Sequence, residues 1–313
     1  MPPRATAPEN DMNSSVTNSL PWRLAALAAV GLSLIAAPTR ADGPKPAEKK
    51  LPLRLRTRTE TAPGSGRYHA LTRPVKWDAA KTAVVICDMW DRHWCPGATA
   101  RVAEMAPRVN DFVAAARRRG ALVLHCPSDT MNFYKDTPQR RLAQSAPKVE
   151  PKVPLQNWCR LDPKKEGPLP IDDSDGGCDT GPDTSHRAWS RENAAITIAP
   201  DDAVSDDGPE VYNLLKARGI EHVLVTGVHT NMCVLGRPFS IRKLVSAGFQ
   251  VVLLRDLTDT MYNPSRRPFV SHFAGTDLVV NHIEKYWCPS ALSSDITGGP
   301  PFRFREDTRR TGY

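Results

Sequence analysis

Short apolar runs alternate along the chain with stretches in which apolar residues recur at helical spacing. The runs are typical of strands buried on both faces and lie at 83–87, 121–125, 222–226 and 250–254. Helical spacing covers 101–119, 211–218, 241–247 and 278–286, and a glycine directly follows each of the first three. This alternation predicts a three-layer, Rossmann-like α/β fold, with a mostly parallel sheet and helices on both faces.

The same pattern suggests how the chain is divided. We expect one domain over residues 76–289, with a long insertion at about 130–193 that is polar and rich in Pro, Gly and Asp. Long insertions of this kind in α/β domains tend to be functional covers. Residues 42–75 are basic and Pro-rich without periodicity, which predicts a linker. Residues 290–313 are predicted to be a C-terminal tail, of which Phe302 and Phe304 could dock on the core.

Residues 1–41 have the pattern of a secretory signal peptide. Arg23 precedes an apolar run at 24–37, and small residues follow it near a cleavage site. The run is shorter than the ~20 residues of a membrane span. We therefore expect an exported protein, periplasmic or extracellular, with no stable membrane span after cleavage. The alternative is an uncleaved N-terminal membrane anchor.

The charge and the cysteines of the chain exclude several classes of partner and site. The net charge is +8, but no block of like charges and no nucleic-acid-binding motif accompanies it. We therefore expect a small-molecule substrate and no nucleic acid, and a homo-oligomer is compatible with the sequence. The seven cysteines show no C-x-x-C spacing, which excludes a zinc ribbon and a thioredoxin-type motif. Cys159 and Cys178 either form a disulfide within the insertion or are free or differently paired, and Cys87 and Cys126 are expected to be buried thiols.

Chemistry-bearing residues cluster where the predicted strands end. Open α/β sheets bind ligands at the carboxyl ends of their strands, so these side chains are expected to converge on one rim. The candidates for the lining of a substrate pocket are Trp90, Asp91, His93, His125, Asp129, Thr230 and Asp256. Four aromatic residues could wall a pocket for a planar substrate or simply pack beneath the insertion: Trp90, Trp94, Tyr134 and Trp158.

Three of these segments resemble the isochorismatase-like cysteine hydrolases, a superfamily that includes nicotinamidases and N-carbamoylsarcosine amidohydrolases. The stretch GVHTNMCV at 227–234 is similar to the family's nucleophile segment. AVVICDMWD at 83–91 resembles the family's apolar strand that ends in an acid. GFQVVLLRDLTD at 248–259 resembles the following strand and its terminal acid. The resemblance covers roughly residues 80–288.

The resemblance implies a hydrolase that acts on a small amide-like substrate without a cofactor. Cys233 would attack as a thiolate and form an acyl-enzyme, and Asp88 would take the thiol proton. A proton acceptor is needed because a thiol with a pKa of about 8.5 is mostly protonated at neutral pH. Backbone N–H groups in the turn formed by Val228, His229 and Cys233 would form the oxyanion hole. The resemblance also implies a cis peptide bond near Val228–His229.

The chain departs from the family at its catalytic lysine. No lysine occurs between Lys165 and Lys216, which includes the region where the family carries one. The residues that could replace its charge are Arg187, Arg191, His229 and Lys135. An arginine would supply the charge but not easily a proton. A second departure is Pro238, which predicts that the regular helix after Cys233 begins only near residue 238.

Two other functions stay open. The missing lysine favours a family member that binds a small molecule or partner without turnover. A metal-dependent hydrolase could be centred on Asp91 and His93, with Cys95, His125 or Asp129 as further ligands. The family's metal-binding Asp-x-His pair follows a later strand, so Asp91 and His93 do not occupy that motif position. The preferred interpretation therefore includes no metal site.

Overall fold

The computed structural model describes residues 49–155, 157–181 and 185–309. The signal peptide predicted for residues 1–41 lies outside this part of the chain and stays a prediction. None of the helices in the described ranges has the length and apolar character that a membrane crossing requires.

The strands are β1 Lys50–Glu60, β2 Tyr68–Asp78, β3 Thr82–Cys87, β4 Leu122–Cys126, β5 Ala203–Val204, β6 His222–Val228, β7 Gln250–Asp259 and β8 Ser290–Ala291. The helices are α1 Pro96–Arg119, α2 Met131–Tyr134, α3 Pro138–Gln144, α4 Gly208–Ala217, α5 Cys233–Gly236, α6 Ile241–Ser246, α7 His272–Tyr286 and α8 Ser294–Thr297. A short 3-10 turn, Ala79–Lys81, joins β2 to β3.

The strands form one eight-stranded sheet in the order β2-β1-β8-β7-β6-β3-β4-β5. Every pair from β8 to β5 is parallel, and β1 runs antiparallel to both of its neighbours. The predicted mostly parallel α/β fold is confirmed. Parallel pairing places the carboxyl ends of β3, β4, β6 and β7 at one edge, where the candidate site lies.

The central strands are apolar throughout because both of their faces are covered. Every residue of β3 and β4 is buried. Successive side chains of a strand point to opposite faces, so Val84 and Ile86 join the apolar cluster under α1, whereas Val85 joins the cluster under α4 and α7. One cluster lies on each face of the sheet, between the strands and the helices, so the domain has three layers. Gly120, with a φ of 102°, ends α1 as its position after the helical pattern predicts.

The linker predicted over 42–75 is wrong from residue 50 onward. β1 and β2 form a long antiparallel hairpin that extends the sheet at its edge. Leu51, Leu53 and Leu55 are buried and alternate with more exposed positions, which is the period of a half-buried strand. The many basic residues and prolines of this segment obscured that two-residue period.

The tail predicted over 290–313 is also wrong for most of its length. Ser290 and Ala291 form β8 between β1 and β7. Beyond α8, Phe304 is 8% exposed and packs in the apolar cluster under α1, with Phe302 partly buried against the same cluster. The predicted docking of these two rings is therefore confirmed.

The insertion predicted at about 130–193 begins with α2 and α3 and is irregular beyond them. One buried carboxylate anchors it to the domain: Glu166 is 3% exposed and pairs with the Arg242 Nε at 2.7 Å and the His282 Nε2 at 2.7 Å. The Trp287 indole donates a further hydrogen bond to Glu166 at 2.8 Å. An unpaired charge buried at this depth would be costly, so these partners hold the insertion against α6 and α7.

Candidate active site

Asp88 directly follows β3 and is held in one orientation by two donors. Its backbone has a positive φ of 50°, and its side chain is fully buried. The Ser128 backbone N–H donates to Oδ1 at 2.8 Å, and the Arg237 Nε donates to Oδ2 at 3.0 Å. Because both donors come from other segments, the carboxylate is fixed at the carboxyl edge of the sheet.

Cys233 reaches the same place from the neighbouring strand. Cys87 of β3 pairs with Gly227 of β6, so the segments after these strands leave side by side. The chain after β6 passes through a cis peptide bond, Val228–His229, as the resemblance implied. Cys233 then begins α5, is unpaired and is 8% exposed.

The thiol and the carboxylate act on each other electrostatically. Burial raises the pKa of the Cys233 thiol well above its ordinary value, the charge of Asp88 raises it further, and the charge of Arg237 lowers it. The backbone of His229 also lowers this pKa. The resting site therefore holds a protonated thiol beside a carboxylate and a cation.

Arg237 is the residue that the sequence analysis missed. It lies four residues after Cys233, where α5 ends, and its side chain is 21% exposed. Besides Asp88 it faces the Asp129 carboxylate, with Nη2 3.6 Å from Oδ2. Its guanidinium carbon lies 5.5 Å from the centre of the Trp158 ring in the insertion. Four-residue spacing on a helix was the one sequence signal that could have found it.

The residues predicted to replace the charge of the lysine have other contacts or carry no charge. Arg187 donates to the backbone carbonyl of Asp129. Arg191 lies over the Phe133 ring at 5.5 Å, and Lys135 is exposed at the end of α2. His229 is buried, and burial together with the nearby His93 lowers its pKa well below the ordinary value, so it carries no charge at neutral pH.

The helix after Cys233 is interrupted, although not where Pro238 predicts. α5 spans only Cys233–Gly236, and the next regular helix begins at Ile241 rather than near residue 238. Trp158 fills the space beside Gly236, where a Cβ would come within 2.5 Å of the indole ring. The break therefore lies directly beneath the insertion, and a four-residue helix contributes little dipole to the Cys233 thiol.

In the turn between β6 and α5, both the backbone N–H and the hydroxyl of Thr230 already have hydrogen-bond partners. The Thr230 backbone N–H donates to the Asp259 carbonyl at 2.8 Å, and the Thr230 hydroxyl lies 2.8 Å from that of Thr258. Thr230 is fully buried and therefore belongs to the support of the turn and not to a pocket wall. The His229 N–H belongs to the cis peptide bond of this turn, and its place in an oxyanion hole stays a prediction.

Trp90 and His93 join an aromatic cluster that reaches the turn. Trp90 stacks on Trp189 with ring centres 4.2 Å apart, and its indole donates to the Ser128 carbonyl at 3.0 Å. His93 stacks on Trp189 at 5.7 Å and meets the His229 ring edge-on at 4.9 Å. Burial lowers the pKa of His93 to about 4, so the ring is neutral. No pattern in the sequence predicted that Trp189, which belongs to the insertion, joins this cluster.

Two of the remaining pocket candidates, Asp91 and Asp256, are hydrogen-bonded to other segments of the chain instead of lining a pocket, which corrects their predicted positions. Asp91 accepts hydrogen bonds from the Ser190 backbone and hydroxyl. Asp256 accepts from Ser293 and from the Phe302 backbone, so it fastens the C-terminal segment. Asp129 is exposed and faces Arg237.

His125 is buried in an ion-pair network away from solvent. Its Nδ1 lies 2.7 Å from Glu192 and its Nε2 lies 3.1 Å from Asp202. Burial lowers the pKa of His125, but the charges and hydrogen bonds of these two carboxylates outweigh it and raise the pKa to about 9. A protonated ring with both nitrogens engaged neither lines a pocket nor binds a metal.

The disulfide of the described residues includes Cys178 but not Cys159. Cys95, at the start of α1, is bonded to Cys178 in the insertion, with a Cα–Cα distance of 5.6 Å. Cys159 is unpaired, so of the two alternatives the Cys159–Cys178 bridge is wrong and the free or differently paired thiols are confirmed. Cys95, Cys178 and Asp179 are the one group with metal-ligand spacing in the described residues, but the two bonded sulfurs are not thiolates.

An ion-pair network next to this disulfide fixes the end of β7. Arg101 of α1 pairs with Asp259 at 2.7 Å and with Asp179 at 2.8 Å. His272 of α7 lies 2.8 Å from Asp259 and 3.3 Å from Asp179. Asp259, the acid at the end of β7, is thus paired with both Arg101 and His272. Because these two residues also pair with Asp179, the network holds the insertion against the sheet.

Residues 202–276 match the family model of the isochorismatase domain. This segment holds β6, the cis peptide bond, Cys233 and the whole of β7. The match to the isochorismatase domain is shown for this segment of the chain. The predicted superfamily is therefore confirmed, on the segment that contains the candidate nucleophile.

Solved structures with isochorismatase-like folds are similar to this domain at low identity. A cysteine hydrolase from Pseudomonas syringae pv. phaseolicola 1448A is 16% identical, with 71% of this chain and 92% of that chain covered and a TM-score of 0.44. An isochorismatase family protein from Burkholderia thailandensis is 18% identical, with 70% and 94% covered and a TM-score of 0.39. The pyrazinamidase of Pyrococcus horikoshii, solved with zinc, is 16% identical, with 65% and 94% covered and a TM-score of 0.37. Comparison with curated proteins gives no match.

Proposed function

We propose that this isochorismatase-like domain is a cysteine hydrolase that cleaves the C–N bond of a small amide-like substrate. The observation that carries the proposal is that Cys233 begins the short helix α5 and that Arg237, at the end of α5, donates to the buried Asp88 carboxylate at 3.0 Å, at the carboxyl edge of the sheet. A nucleophile beside a proton acceptor, with the acceptor held by further groups, is the arrangement that covalent catalysis requires.

The first half of the reaction forms an acyl-enzyme. Asp88 accepts the proton as the S–H bond of Cys233 breaks, and the sulfur adds to the carbonyl carbon of the substrate. The negative charge that develops on the carbonyl oxygen is stabilised by backbone donors of the turn, among them the N–H of His229. The C–N bond then breaks, and the nitrogen leaves with the proton held by Asp88.

The second half releases the product. Water gives a proton to Asp88 and adds to the thioester, the C–S bond breaks, and the proton returns to the sulfur. One carboxyl group thus serves as base and acid in turn, which general acid–base catalysis allows when the group contacts the reacting atoms. Because burial and the charge of Asp88 raise the pKa of the Cys233 thiol, the thiolate is a minor species in the resting site.

The alternative of binding without turnover loses its main support. It rested on the missing lysine, and Arg237 places a partly buried cation beside Asp88. The metal-dependent alternative loses two of its expected ligands, since Cys95 is in a disulfide and His125 is engaged on both nitrogens. We retain export as part of the proposal, on the pattern of residues 1–41.

The test is a screen of small amides for ammonia or amine release, followed by two variants. Cys233→Ala should abolish turnover while leaving the melting temperature nearly unchanged. Asp88→Asn should lower kcat/KM by about 10²- to 10⁴-fold, the range for proton-transfer groups. Hydrolysis that persists in Cys233→Ala would contradict the proposal.

Cys288→Ala is the matched control. Cys288 is also an unpaired thiol, is 6% exposed and lies after α7, away from the site. Its replacement removes the same buried atom as Cys233→Ala and should leave turnover intact. Equal losses of activity in both variants would point to packing rather than to nucleophilic attack.

A further inference from the structure

The cation beside the candidate nucleophile comes from an unexpected part of the chain. Arg237 stands four residues beyond Cys233 and reaches back to the carboxylate of Asp88, where its Nε lies 3.0 Å from Oδ2. The Asp88 side chain is fully buried and that of Arg237 is 21% exposed. This is therefore an ion pair largely removed from water, in which each charge depends on the other.

The charges of the site must stay balanced as a proton moves. With a neutral thiol, the Asp88 carboxylate neutralises the guanidinium. Once the proton has passed from Cys233 to Asp88, the carboxyl group is neutral and the thiolate becomes the partner of the guanidinium. One anion faces one cation in both states, which avoids an uncompensated buried charge.

We infer that Arg237 is the fixed positive charge of the site, neutralised by Asp88 at rest and by the Cys233 thiolate during attack. The inference rests on the proposed cysteine chemistry. Because a guanidinium keeps its proton in proteins, the proton can pass only between the sulfur and the carboxylate. The S–H bond breaks, an O–H bond forms on Asp88, and Arg237 gains and loses nothing.

Two neighbours keep the guanidinium in place for this role. Trp158 lies under it at 5.5 Å, and Asp129 faces its outer nitrogen at 3.6 Å. Trp158 belongs to the insertion, whose next residue donates its backbone N–H to the Gly236 carbonyl at 2.7 Å. The insertion thus holds both the arginine and the short helix that carries it.

The experiment measures thiolate reactivity without any substrate. The alkylation rate of Cys233 by iodoacetamide is followed at fixed pH values between about 7 and 9, around the ordinary thiol pKa, by mass spectrometry, with the unpaired Cys159 as an internal reference. Arg237→Gln should slow labelling of Cys233 by about ten-fold or more, because an opposite charge in contact moves a pKa by about one to three pH units. Arg237→Lys keeps the charge and should label at close to the wild-type rate.

A second pair of variants makes the same comparison in the absence of the Asp88 charge. Asp88→Asn should label at least about ten-fold faster than wild type, since the thiolate then has Arg237 to itself. Adding Arg237→Gln to Asp88→Asn should remove that gain. Arg191→Gln is the control, because that arginine lies over Phe133 and should leave the rate unchanged.

The results separate this inference from the proposed function. Wild-type labelling in Arg237→Gln, or equal rates in Asp88→Asn with and without Arg237→Gln, would overturn the role of Arg237. Failure of the cysteine chemistry itself would show in turnover by Cys233→Ala, which the labelling experiment does not involve. Slowed turnover in Arg237→Gln with recovery in Arg237→Lys would complete the support.

Discussion

The disulfide between Cys95 and Cys178 should supply a large part of the stability of this domain. The two cysteines are 83 residues apart and join the start of α1 to the middle of the insertion. Closing a loop of that length restricts the unfolded chain, and the chain-entropy relation gives about 4.5 kcal/mol for it at 25 °C. Whole domains are stable by only about 5–15 kcal/mol, so the loss should be easily measured.

The perturbation is the double variant Cys95→Ser/Cys178→Ser, which leaves no unpaired thiol behind. Urea unfolding followed by tryptophan fluorescence should show a midpoint lower by about 1.5 M, taking a slope of about 3 kcal/mol per M. The network of Arg101, Asp179 and Asp259 persists in this variant, so the effect should reflect the covalent link.

A reducing agent supplies the control. It should lower the midpoint of the wild type to that of the double variant and leave the double variant unchanged. Cys159→Ser should behave as wild type under both conditions, because Cys159 is unpaired. If the wild type and the double variant unfold at the same urea concentration under oxidising conditions, the loop-closure reasoning is refuted.

Two further predictions concern the support of the site. The pKa of His125, raised to about 9 by Glu192 and Asp202 against the opposing effect of burial, should stabilise the fold by about 3 kcal/mol below pH ~6.5, and this contribution should be lost as the pH rises through ~9. Urea unfolding at several pH values tests this, since His125→Gln should remove most of the decline. Gly227→Ala should cost at least about 2 kcal/mol, because its φ is 113° and a Cβ would overlap a carbonyl oxygen of β3. In thermal unfolding, Gly219→Ala, with a φ of 63° and open space around it, should cost less, and equal losses would contradict the steric reasoning.

The alternation of apolar runs and helical spacing predicted the central fold because it reports burial directly. A strand covered on both faces must be apolar at each position, as β3 is, and a helix over a sheet must repeat near every third or fourth residue, as α1 does. The same logic placed Asp88 and Cys233 at one edge of the sheet, since parallel strands bring their ends together. Where charged residues obscured the period, as in β1, the prediction failed.

Only the tertiary structure decided which side chains of the chain contact one another. Local spacing could not show that Arg237 turns back to Asp88, nor that Cys178 meets Cys95 instead of Cys159. It also could not separate His125, locked between two carboxylates, from the histidines near Cys233. The sequence by itself determined which segments are buried and which residues carry chemistry. Which charges and thiols meet depended on how the insertion closes over the sheet, because contacts between segments far apart leave no periodic trace in either segment.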